Sequence, residues 1–203
     1  MKNWILIICL CGASSMAIGQ SALSIKKENK NYRTEQNEKF RSKHESPLKI
    51  KDKEAFKKLD FYGIKKAYRV EAKFVRTAGS EPFEMPTTTD RKPVYEKYGE
   101  IHFEIKGKAL TLNVYQSHSS RQNPLYRNYL FLPFKDLTNG HKSYGGGRFI
   151  DVRIPKGETM TIDFNKSYNP YCAYNDKYSC PIVPIENHLK VAIPAGVRTY
   201  DKH

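Results

Sequence analysis

Ile101-His102-Phe103-Glu104-Ile105-Lys106-Gly107-Lys108-Ala109-Leu110-Thr111-Leu112-Asn113-Val114 decides the fold class. Ile101, Phe103 and Ile105 alternate with His102, Glu104 and Lys106, and beyond Gly107 the same period of two returns at Leu110, Leu112 and Val114. Side chains on an extended backbone point to opposite faces in turn, so each half buries one face and wets the other. Lys-Gly-Lys between two such runs suits a tight turn, and the stretch reads as a β-hairpin.

Upstream, Tyr68, Val70, Ala72 and Phe74 keep the period of two, and Gly79-Ser80-Glu81-Pro82 reads as a turn. Downstream, Ser117 to Asn128 is a polar loop in front of an apolar strand, Tyr129 to Phe134. Gly145, Gly146 and Gly147 precede a strand from Arg148 to Ile154, Pro155-Lys156-Gly157 turns the chain, and Met160, Ile162 and Phe164 form the next strand. Leu189 to Ile193 is expected as the last. Many short strands joined by turns, with helical signal confined to the start, describe a mainly β (α+β) chain: an antiparallel β-sandwich or barrel with an N-terminal helical cover.

The start of the chain divides in two. Lys2, the apolar run Trp4 to Leu10 and the small-x-small site Ala17-Ile18-Gly19 read as a signal peptide over residues 1–19, cut after Gly19. Ile8 and Leu10 are bulky where lipid attachment at Cys9 or Cys11 would want a small residue. The expected product is exported, periplasmic or extracellular, with no transmembrane segment after cleavage. Residues 20–66 form a basic helical segment packing on the β-rich part, residues 67–203. Within it, residues 21–30 are expected to be loose, Tyr32, Gln36, Phe40 and His44 mark a helix over Asn31–His44, and Phe56 and Leu59 share a face of a short helical turn over Asp52–Leu59.

The formal charge is +14 over 203 residues, and residues 21–66 carry 14 Lys or Arg against 7 Asp or Glu. That asymmetry suits a solvated face or an anionic surface. Nucleic acid is disfavoured, because export and the lack of a binding module both argue against it.

From Leu130 onward the sequence carries Leu130-Phe131-Leu132-Pro133-Phe134, Asp136-Leu137-Thr138-Asn139-Gly140, Tyr144-Gly145-Gly146-Gly147-Arg148-Phe149, Asp163-Phe164-Asn165, Tyr168-Asn169-Pro170, Cys172-Ala173, Cys180-Pro181, Pro184 and Glu186-Asn187. In these motifs it resembles DUF1684, a bacterial and archaeal family of unknown function. His188 and Val197 depart from the arginine and glutamate usual there. The resemblance implies no activity or cofactor.

Cys172 and Cys180 are the two cysteines left after the signal, and in an oxidising compartment they are expected to form a disulfide. A metal site and a thiolate nucleophile, both drawing on His188, are the rival readings, but the spacing fits no standard zinc module. Asp163-x-Asn165-x-Ser167-x-Asn169 starts like a calcium loop but lacks its glycine and its closing glutamate. Side chains of this kind more often bond their own backbone and hold an irregular turn. No metal site and no cofactor follow. The triple glycine with Arg148 suits an anion, with Asp136 as the internal partner if no anion binds. His118 beside Ser119 and Ser120 makes no triad. Together Tyr144, Arg148, Asp136, Asp163, Asn165, Asn169 and Asn187 are expected to build a platform for a small anionic or polar ligand. An enzyme using the same groups, or a surface protein acting through its basic start, are the alternatives.

Overall fold

No glycine or proline interrupts residues 20–46, and the first helix runs through most of that stretch. The computed structural model describes residues 13–200, with side chains from residue 23 onward. Helix α1, Ala13–Arg41, ends on Lys39 and Arg41, where cations complement the C-terminal dipole. Residues 21–30, expected to be loose, are therefore helical, because Ala, Ser, Lys and Glu give the backbone no reason to stop. The signal-peptide reading falls for the most part outside the described residues. Asn29, Tyr32, Arg33, Gln36 and Phe40 recur at helical spacing on the face turned to the protein. The second helical segment, α2, is the single turn Ile50–Lys53, earlier and shorter than expected and without a buried residue. No described helix is long and apolar enough to cross a membrane.

The strands are β1 (Arg69–Arg76), β2 (Phe83–Glu84), β3 (Val94–Ile105) and β4 (Lys108–Ser117). A short helix, α3 (His118–Gln122), stands in the expected polar loop, and β5 (Tyr129–Phe134), β6 (Arg148–Arg153) and β7 (Thr159–Asp163) follow. The hairpin of the opening stretch is present with Ile105 opposite Lys108. Its two turn residues, Lys106 at φ 54° and Gly107 at φ 74°, are both left-handed, as a two-residue turn matching the strand twist requires. All described pairings in the seven-stranded sheet are antiparallel, in the order β6-β5-β4-β3-β1-β7, with β2 beside β3.

The sheet curls into a half-barrel around a core of Ile101, Phe103, Leu112, Val114, Leu130, Leu132, Phe134, Ile162 and Phe164. Its two edges are stitched just past β7, where Phe149 and Tyr168 exchange backbone hydrogen bonds of 2.9 and 3.0 Å. β5 is buried on both faces: Leu130, Leu132 and Phe134 point into the barrel, while Phe131 packs outside against Phe149 and Val183. A third cluster, Phe40, Leu48, Leu59, Tyr174 and Val197, fastens α1 to the end of the chain.

The expected strand Leu189–Ile193 is not regular, although Leu189 and Ile193 are buried in the core. It follows residues 135–137 through Leu189 N–H to Lys135 O and Leu137 N–H to Val191 O. At Ile193 the N–H goes instead to the Asp136 carboxylate, so a side chain replaces the next rung of a ladder.

Candidate functional site

Arg148 opens β6 and points into the molecule, 0% exposed. Its guanidinium donates to Asp136 Oδ2 at 2.5 Å, to Ile193 O at 2.8 Å and to Ala195 O. Asp136 Oδ1 in turn accepts from the N–H of Thr138 and of Ile193. The pair Asp136–Arg148 is thus a sealed lock between the start of β6 and the chain end, and the guanidinium offers no face to an anion. Gly147 serves the same lock: its φ is +99°, and a Cβ there would meet Val183 Cγ2 at 2.5 Å. Its N–H bonds Tyr144 O, closing a turn rather than a cradle.

The other expected residues are dispersed. Asn187 lies between β4 and β5, which share a single register pair, Tyr115 with Phe131. Its side chain accepts from Asn113 N–H and donates to Asn113 O and to Pro133 O, so one amide does the work of ladder bonds where the strands part. Asn165 exchanges bonds with the backbone of Lys65, and its backbone N–H and side-chain amide both donate to Asp163 Oδ1. Asp163 Oδ2 takes Asn29 at 2.8 Å and Arg69 at 3.3 Å, tying α1 to β7. Asn169 donates to Arg198 O and Tyr174 Oη, while among the described residues its buried Oδ1 has no partner.

Cys172 and Cys180 are free thiols in the structure, which departs from the expected disulfide. They are neighbours held by a different bond: Cys172 N–H donates to Cys180 Sγ at 3.1 Å. The Cys180 thiol hydrogen-bonds the Cys172 sulfur and, against the cost of burial and helped by the Tyr144 hydroxyl 3.9 Å away, lowers the Cys172 pKa to about 7. The same interaction pushes the Cys180 thiol up. Burial and the nearby Cys172 sulfur raise Tyr144 to about 12.

An opening walled by aromatic rings lies elsewhere, between α1 and the outer face of β5 and β6. It is a cleft of about 340 Å³ whose floor is Tyr129, Phe131, Phe149 and Asp151. α1 supplies Tyr32, Gln36, Lys39 and Phe40, and the segment after β7 supplies Tyr168, Asn169, Tyr171 and Cys180. Tyr129 donates to Asp151 Oδ1 at 2.7 Å and Tyr168 donates to the same oxygen; among the described residues Oδ2 receives no bond. Burial first, and the Asp151 charge second, raise the pKa of both phenols, so they stay protonated donors. Lys39 lies 5.4 Å from the Tyr171 ring, and Arg91 reaches Ser179 at the edge. A smaller polar pocket of about 190 Å³, holding Glu28, Arg69, Asp163 and Lys166, shares Tyr32, Asp151 and Tyr168 with the cleft.

Of the seven expected residues, Asn169 lines the cleft and Asp163 the polar pocket. Tyr32, Tyr129, Asp151 and Tyr168 were not foreseen as a site. The signal for them was β5 itself: a strand apolar at every position needs cover on both faces, so its outward Phe131 announced a second packed surface.

The family described as "Protein of unknown function (DUF1684)" matches residues 54–198. The chain belongs to the DUF1684 family. A solved relative, the solution NMR structure of an uncharacterised protein from Haloarcula marismortui, is 30% identical, with a TM-score of 0.69 over 91% of this chain and 99% of its own. No curated protein sequence matches. The DUF1684 match covers β1 to β7, with the lock and the cleft floor, while the α1 wall precedes it.

Proposed function

We propose that this DUF1684 protein binds a small ring-shaped, hydroxylated ligand with an acidic substituent, such as a sugar acid, in the cleft beneath α1. The observation that carries the reading is the meeting of tyrosine and phenylalanine walls with a carboxylate that keeps one oxygen unbonded among the described residues. Flat apolar faces stack on the rings, hydroxyls reach Asp151 and Gln36, and Lys39 with Arg91 balances the acid. A cavity of this size and mixed lining is in the range of small-molecule sites. The reading includes export, with cleavage after Gly19, and oxidation of the adjacent thiols to a Cys172–Cys180 disulfide outside the cell.

The test is a thermal-shift titration with glucuronate, glucose, benzoate and inorganic phosphate. Glucuronate is expected to raise the melting temperature of the wild type most, with the shift lost in Asp151→Ala and Lys39→Ala reducing it to that of glucose. No shift with any of the four probes, or the same shift in all three proteins, rejects the cleft as the site. Intact mass of exported protein tests the disulfide: two free thiols there would reject it.

A further inference from the structure

We infer that the lysine-rich face around α2 docks on an anionic lipid bilayer. Residues 41–58 hold seven Lys or Arg against three Asp or Glu. Four of the seven, Lys43, Lys49, Lys51 and Lys53, line a groove together with Lys177, which comes from the far end of the sequence. Lys49 pairs with Asp176 at 2.9 Å, and Lys53 donates to the Lys43 carbonyl, so the face is built rather than a loose tail. At its centre Ile50 is 88% exposed, on a helical turn that buries none of its residues.

An apolar tip ringed by ammonium groups has a definite complement. Lysines are drawn to phosphate head groups, and a single branched apolar side chain at their level reaches the acyl boundary. A soluble polyanion would use the lysines and leave Ile50 without a role, which is why a bilayer is the favoured partner. Tyr178 lines both this groove and the aromatic cleft, so docking brings the cleft beside the lipid surface.

The experiment is co-sedimentation of the exported chain, residues 20–203, with vesicles of phosphatidylcholine alone or with phosphatidylglycerol at about a third of the lipid. Binding is expected to the anionic vesicles only and to fall at least tenfold between 0.05 and 0.5 M salt, as screened lysines would make it. Lys43→Glu with Lys51→Glu is expected to lower anionic-vesicle affinity at least tenfold. Ile50→Ser is expected to lower it about threefold while leaving retention on heparin unchanged. These side chains are exposed, and an unchanged melting temperature verifies that each variant folds. Equal binding to both vesicles, wild-type affinity in the charge-reversed protein, or retention on heparin or nucleic acid without vesicle binding each overturns the inference.

Discussion

Removing the guanidinium of Arg148 leaves the Asp136 carboxylate buried beside two carbonyls that have lost their donor. Arg148→Ala is therefore expected to destabilise the fold by about 3–5 kcal/mol in urea unfolding, as for other broken buried pairs. Arg148→Met with Asp136→Leu is expected to recover part of that loss; a single variant as stable as wild type would show that the lock does not hold the fold. At Cys172 the sign follows from the direction of the shift. A thiol lowered to about 7 is mostly thiolate above that pH, so alkylation of the reduced protein by iodoacetamide should rise through pH 7 and level off above about 8. Tyr144→Phe removes a donor to that sulfur and should move the midpoint upward. A midpoint at the ordinary thiol value in wild type contradicts the geometry.

Elements repeat the theme that side chains complete what strands leave unfinished. Asn187→Ala strips partners from Asn113 N–H, Asn113 O and Pro133 O, and is expected to cost about 2–4 kcal/mol and to speed amide exchange at the β4–β5 junction. Exchange confined to the chain end would refute that role. The hairpin and most strands could be read from period two because a half-buried strand repeats its burial every second residue. Leu189–Ile193 misled for the same reason: its apolar residues are buried, but the Asp136 carboxylate, not a neighbouring strand, takes the Ile193 N–H. The site was less readable still. Asp163, Asn165, Asn169 and Asn187 announced themselves as polar groups in an apolar context, yet most bond backbone far away in sequence, and spacing carries no record of those partners. The cleft escaped because Tyr32 and Asp151 meet only once α1 lies across β6.

At the scale of the molecule, α1 is attached to the half-barrel by polar contacts as much as by packing. Asn29 bonds Asp163, Tyr32 bonds Lys166 O, Arg33 bonds Tyr62 O, and Asn37 accepts from Leu59 N–H. Asn29→Ala is expected to cost about 1–3 kcal/mol and to raise exchange along α1 while the sheet amides stay protected. Uniform loss of protection would mean that helix and sheet unfold as one unit. The helix also stands upstream of the family match, which begins at residue 54, although its Tyr32, Gln36, Lys39 and Phe40 wall the cleft. Floor and α1 wall of that cavity thus come from distant stretches of the sequence. On the proposed reading, substitutions in the α1 wall would change which ligand fits while leaving the strands in place, so relatives that share the half-barrel need not share a ligand.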